Sequence, residues 1–168
     1  MESEQLRSIQ APLKEKYRSN PEKAFITLSA EGKLGESITC NVKTGKALVD
    51  AGLHPATGGT GLNICSGDML LEALAACAGV TMNAVAAAIG VEIKEGVVKT
   101  EGDIDFRGTL GVSKEVPVGF QNIRIIFELE TDANEEQLNT LLNLTTRYCV
   151  VYQTLKNSPQ LEINRIVK

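Results

Sequence analysis

Apolar and polar positions alternate with a period of two in several short stretches and lose that alternation in one long apolar run. The segments AFITLSA (24–30) and SITCNV (37–42) alternate, and the second puts Ile38, Cys40 and Val42 on one strand face. EGKLG (31–35) between them reads as a turn, KALVD (46–50) follows as a third strand, and a Gly-rich irregular stretch containing Pro55 fills 52–61. From 66 to 89 the run SGDMLLEALAACAGVTMNAVAAAI is apolar on nearly every side, rich in Ala and Leu, and followed by Gly90 where a helix C-cap would sit. It is predicted to be a buried helix. Asp68, Glu72 and Asn83 interrupt it and no aromatic or basic flanks surround it, which argues against a membrane span.

The remainder continues the mixed pattern. VEIKEGVVKTEGDIDF (91–106) predicts one or two strands, and QNIRIIFELE (121–130) sets Ile123, Ile125, Phe127 and Leu129 against Arg124, Glu128 and Glu130. Between them RGTLGVSKEVPVGF (107–120) is a long loop of the kind that carries function or crosses between subunits. Asp132 with Glu135 resembles a capping box. Leu138, Leu141, Leu142, Thr145 and Tyr148 then recur at helical spacing and lead to Cys149. VVYQTLK predicts a further helical turn, and LEINRIVK closes the chain as a strand. The order strands, helix, strands, helices, strand fits an α+β domain over 1–168, with 1–22 a charged arm. A helix buried on all sides needs more cover than one sheet of this chain supplies, so a second subunit is expected.

Charge and composition narrow the function. The 17 Lys+Arg against 21 Asp+Glu leave a net charge of −4, without the basic excess that a phosphate backbone demands. Three Tyr, four Phe and no Trp offer few stacking platforms for bases, so no nucleic-acid partner is expected. The first twenty residues mix both charge signs with no apolar run, so neither a secretory signal nor a membrane partner is expected, and the cytoplasm is the expected location. Cys40, Cys65, Cys77 and Cys149 lack two-residue spacing, and His54 is the single histidine. No metal and no cofactor are therefore expected.

The chemistry-bearing candidates each have a plain structural alternative. Cys77, in AACAG within the apolar helix, and Cys149, beside Arg147, read equally as small core residues. Cys40 reads as core, Cys65 as a cap-region residue and His54 as a solvent-exposed loop residue. GGTG (58–61) lacks the Lys-Ser or Lys-Thr ending of a nucleotide-binding loop and reads as a flexible loop. Arg107 fits a surface charge or a substrate clamp.

The two cysteine segments together resemble the OsmC/Ohr superfamily. SGDMLLEALAACAGVTMNAVA is similar to that family's central helix, which ends in Ala-Ala-Cys or a close variant. RYCVVYQTLKNSP is similar to its second cysteine segment, commonly Cys-Pro-Val or Cys-Pro-Tyr followed by a short helix, often with Thr-Leu-Lys-Asn. Both occur in the family's order, and the resemblance spans nearly the whole chain beyond the arm.

The resemblance implies an intertwined homodimer and a thiol peroxidase active in oxidative stress defence. Cys77 would become a sulfenic acid on an organic hydroperoxide, Cys149 would resolve it as a disulfide, and a dithiol reductant, lipoyl-type in the Ohr branch, would reset the pair. The Ohr branch carries Glu ten residues before its reactive Cys, where this chain has Gly67. Asp68 and Glu72 are the neighbouring acids. The family's activating Arg comes from the turn between the first two strands, where EGKLG offers only Lys33, leaving Arg18 and Arg107 as other cations. Val150 replaces the usual Pro. The competing expectations are an OsmC-fold binder of a small apolar ligand and a redox sensor without turnover.

Overall fold

The Ala- and Leu-rich run folds as the helix its composition demands, and the rest of the described chain is arranged along it. The computed structural model describes residues 4, 8, 10–12, 19, 20, 32–34, 39–44 and 47–167, and the side chains among them from 49 onward together with those of 4, 8, 10–12, 19 and 20. The strand expected at 24–30 lies outside the described residues.

Three strands, β1 (Gly32–Leu34), β2 (Thr39–Thr44) and β3 (Ala47–Gly52), form an antiparallel meander. EGKLG is therefore not simply a turn. Gly32, Lys33 and Leu34 pair with Val42, Asn41 and Cys40, so main-chain pairing overrides the turn preference of this glycine-containing stretch. A single 3₁₀ turn (Pro55–Thr57) follows. Then β4 (Ile64–Cys65), which the periodicity missed because it is two residues long, pairs in parallel with β3 and runs straight into helix α1 (Ser66–Ile89). Gly90 ends α1 in the left-handed conformation, φ 73°, its N–H donating to Ala86 O.

A second sheet pairs β5 (Glu95–Ile104) with β6 (Phe120–Glu130), separated by a loop holding the one-turn helix α2 (Phe106–Thr109). Alternation sends Val98, Ile123, Ile125 and Phe127 inward and leaves Lys99, Glu101, Asp103, Arg124 and Glu128 exposed on the other face, where Arg124 pairs with Glu101 and Asp103, and Lys99 with Glu128. Gly102 has a specific reason: a Cβ there would come within 2.4 Å of the Phe120 ring.

Helices α3 (Glu135–Tyr148) and α4 (Val150–Lys156) follow. The capping box lies two residues beyond its predicted place. Asn134 Oδ1 accepts from Gln137 N at 2.9 Å and Gln137 Oε1 accepts from Asn134 N at 3.0 Å, while Asp132 is drawn into an ion pair with Lys94.

Leu74, Ala78, Met82, Val85 and Ala86 form the buried stripe of α1, and Leu141 of α3 closes the core against Met82, Val85, Ala86 and Val91. Within one chain this stripe is the only fully buried face of α1. Val80 is 72% exposed, and Leu70 and Ile89 also meet solvent, so the expected burial on all sides is not reached by the chain alone. The final strand is absent as well. Residues 157–167 have no regular structure, and Ile163 is 96% exposed, because an alternating segment forms a strand only beside another strand and none of the described strands lies beside it.

Thr145 is fully buried in α3 with its Oγ1 unpaired. Leaving a hydroxyl unsatisfied in a core is unfavourable, so Thr145→Val should raise the unfolding free energy by about 1 kcal/mol in urea titration. Leu141→Ala should lower it by about 2–5 kcal/mol through the cavity it leaves.

Candidate functional site

Two thiols 72 residues apart in sequence meet where α3 gives way to α4. Helix α3 ends at Tyr148, and Cys149 takes an extended conformation (φ −70°, ψ 109°), acting at once as C-cap of α3 and N-cap of α4. Its N–H still donates to Thr145 O at 2.9 Å, while its Sγ accepts from Tyr152 N at 3.5 Å. Cys149 is 1% exposed, in a hydrophobic cluster with Leu74 and Ala78 of α1. Cys77, Val98, Ile123, Ile125, Val151 and Tyr152 pack against that cluster. Cys77 is half-buried, on the stretch of α1 facing the junction.

The two thiols act on each other, and their acidities diverge. Burial pushes Cys77 up, but donors outweigh it: the amide N–H of Val151, the Cys149 thiol, the amide N–H of Val150 and the Thr81 hydroxyl hold its pKa below the ordinary thiol value of 9.0. Thr81 Oγ1 also lies 2.7 Å from Cys77 O, so its one proton serves the carbonyl or the thiolate, not both. For Cys149, burial pushes the thiol up, and its bond and charge repulsion with Cys77 push it further, against the opposing donors at Tyr152 and Val151. Cys77 is the thiol poised to ionise and Cys149 the one poised to keep its proton. Among the described residues no side-chain cation contributes to the shift at Cys77.

The supporting charges proposed from sequence do not gather at this pair. Asp68 and Glu72 are exposed and stand nine and five residues before Cys77, about 180° and about 140° around α1. Arg107, in α2, is occupied by the carboxylate of Asp105, whose own pKa that hydrogen bond lowers. Lys33 lies on β1 opposite Asn41, and Arg18 is outside the described residues. At Gly67 a Cβ would touch the Phe120 ring at 3.5 Å, Cys65 Sγ at 3.6 Å and Ile104 Cδ1 at 3.8 Å.

His54 is not simply solvent-exposed. It caps the 3₁₀ turn, Nδ1 accepting from Ala56 N at 3.0 Å, and stacks on Phe106 with ring centroids 5.0 Å apart. Cys65 caps α1 without a side-chain hydrogen bond.

The groups the sequence reading missed are Thr81 and the amides of Val150 and Val151. Thr81 could have been found one helical turn beyond Cys77. The amides left one trace, a valine where a proline is usual.

Beside the cluster runs a groove of about 290 Å³ lined by Leu74, Phe120, Ile123, Ile125, Tyr152 and Leu155, with Gln121, Asn122 and Lys156 as its polar groups.

A family model described as OsmC-like protein matches residues 59–164. No curated protein sequence matches the chain. Among solved structures, the chain is similar to an OsmC like protein from Mycoplasma pneumoniae, at 19% sequence identity and TM-score 0.67, with 83% of this chain and 94% of that one covered. It is also similar to an organic hydroperoxide resistance protein OsmC from Legionella pneumophila, at 16% identity and TM-score 0.62, covering 79% and 91%. A third is the organic hydroperoxide resistance protein OhrB of Bacillus subtilis, at 19% identity and TM-score 0.53, covering 79% and 93%. At these identities the likeness is one of fold.

Mild oxidation with diamide should join Cys77 to Cys149 and leave Cys65 free. Mass spectrometry of a non-reduced digest checks this, and a Cys65 cross-link in place of that one would contradict the geometry.

Proposed function

Because the chain belongs to the OsmC-like protein family, we propose that it is a thiol peroxidase that reduces organic hydroperoxides, with Cys77 as the attacking sulfur and Cys149 as the resolving one. The observation that carries this reading is the packing of Cys77 against Cys149, with the first thiol made more acidic and the second less. A peroxidase needs one sulfur ionised at working pH and a second within bonding reach. An inert ligand binder needs neither, and an ordinary thiol would have served it as well. Two of the structural relatives carry the words organic hydroperoxide resistance, which points in the same direction.

The chemistry follows from the two acidities. The Cys77 thiolate attacks the terminal oxygen of the hydroperoxide, the O–O bond breaks, and the alkoxide leaves as an alcohol after taking a proton. Cys77 is oxidised to a sulfenic acid. The Cys149 sulfur then attacks the Cys77 sulfur, forming the S–S bond and breaking S–OH, and the hydroxide departs as water with the Cys149 proton. An external dithiol, lipoyl-type by the family resemblance, reduces the disulfide and is itself oxidised to one. The apolar groove beside the cluster suits the alkyl or aryl part of such a hydroperoxide.

The exposed flank of α1 and the unpaired tail at 157–167 support a homodimer as the working unit. The cytoplasm suits a mechanism that depends on reduced thiols.

Cys77→Ser should lower cumene hydroperoxide consumption on the order of 100-fold or more. Cys149→Ser should consume about one equivalent through the sulfenic acid without forming the intramolecular disulfide. Wild-type consumption by Cys77→Ser would overturn the assignment. The wild-type rate should rise with pH as Cys77 ionises and level off below 9.0, since its pKa is lowered from that value. Light scattering should give twice the mass of one chain.

A further inference from the structure

We propose that Gln153 is the positioning residue of the thiol pair: by occupying the carbonyl of Thr146 it keeps the helix broken at Cys149 and so holds that sulfur against Cys77. The inference rests on Cys149 being the resolving sulfur and names what keeps it in reach. It begins with a break that the local sequence does not demand. Residues 135–156 contain neither Gly nor Pro, the usual helix enders, yet α3 stops at Tyr148 and α4 restarts at Val150 with one extended residue between them. In an unbroken helix the Val150 N–H would donate to Thr146 O. That carbonyl instead accepts from Gln153 Nε2 at 2.9 Å, the one side-chain hydrogen bond among the described residues that joins α3 to α4.

Both ends of this link are braced. Thr146 Oγ1 lies 3.0 Å from Leu142 O and 3.1 Å from Asn143 O, which ties Thr146 into the last turns of α3. The Gln153 N–H donates to Cys149 O at 2.9 Å, and Asn157 Nδ2 donates to Gln153 Oε1 at 3.2 Å, so the amide oxygen is occupied and Nε2 is left to face Thr146. Val151, Tyr152 and Leu155 press α4 onto the cluster of Leu74, Ala78 and Cys149, but apolar contact is non-directional and does not choose between a broken and a continuous backbone. A hydrogen bond to one particular carbonyl does. Such definition matters because a disulfide closes only with Cβ atoms about 3.5–4.5 Å apart. In the similar segment of the OsmC/Ohr superfamily the cysteine is commonly followed by proline, which itself disfavours a helical conformation at the residue before it. Val150 imposes no such restriction, and Gln153 supplies the stop from the far side of the break.

Gln153→Met keeps the length of the side chain and removes the donor. In the full chain, one equivalent of cumene hydroperoxide should oxidise Cys77 of this variant to the sulfenic acid at the wild-type rate. Closure, in which the Cys149 sulfur bonds to the Cys77 sulfur and displaces its hydroxyl as water, should slow about tenfold, and a dimedone adduct on Cys77 should accumulate. Adding Val150→Pro to Gln153→Met should restore closure, because proline is favoured at the first position of a helix and rebuilds the break without the glutamine. A general loosening of the fold would not be mended in that way. In dithiothreitol buffers, with no hydroperoxide present, the Cys77–Cys149 disulfide of Gln153→Met should be about tenfold easier to reduce, a potential about 30 mV more positive.

In unmodified protein the Gln153 side-chain amide protons should exchange slowly with solvent, a readout that needs no variant. Wild-type closure and potential in folded Gln153→Met, slow closure that Val150→Pro leaves unrepaired, or fast exchange of the Gln153 amide would each overturn the assignment. Hydroperoxide consumption by wild type, measured alongside, separates the two ideas. A moved potential without turnover supports the role of Gln153 and removes the peroxidase reading, whereas turnover with an unmoved potential does the reverse.

Discussion

The interruption of helical bonding at Cys149 is the constraint on which the rest of the described structure depends. Had the chain continued from α3 into α4 as one helix, the amides of residues 150–152 would have been spent on carbonyls of the preceding turn. One extended residue releases them, lets α4 settle against α1, and brings Cys149 Sγ to Cys77. A single backbone conformation thus does three things at once: it ends one helix, starts another and turns the Tyr152 N–H onto the Cys149 sulfur. The hydrophobic cluster of Leu74, Ala78 and Cys149 fixes that arrangement, because the junction and α4 pack there against two longer elements, α1 and the β5–β6 pair.

Charge is distributed to match. The ion pairs of the β5–β6 sheet lie on its solvent face, and the inner face offers the cysteine cluster Val98, Ile123, Ile125 and Phe127. In such surroundings a neutral amide dipole carries more weight than it would in water, and it has no counter-ion of its own to desolvate. The thiol pair therefore needs little formal charge nearby to separate into a more acidic and a less acidic sulfur.

Periodicity made the long elements legible: the central helix with its Gly90 cap, β6, and the helix leading to Cys149 all follow from their apolar spacing. It failed where the deciding partner is distant in sequence. The tail at 161–168 alternates like a strand, yet alternation cannot say whether another edge is present to receive it. Asp132 looked like the helix cap until Lys94, 38 residues earlier, is seen to hold it. Lys33 belongs to a strand because of Asn41, not because of its neighbours in EGKLG. At the site, the two cysteines were identifiable by resemblance, but their donors are main-chain atoms, which leave almost no mark in a sequence. Counting around the helix turns Asp68 and Glu72 away from Cys77, and both are exposed.

The unequal exposure of the two sulfurs carries a chronology. An oxidant arriving from solvent encounters Cys77, while Cys149, 1% exposed, waits behind it. Access, rather than intrinsic reactivity alone, then dictates which sulfur changes first. Under a flood of oxidant, irreversible damage would accumulate on the outer member of the pair, so that hyperoxidation amounts to one countable lesion per chain with the inner sulfur preserved.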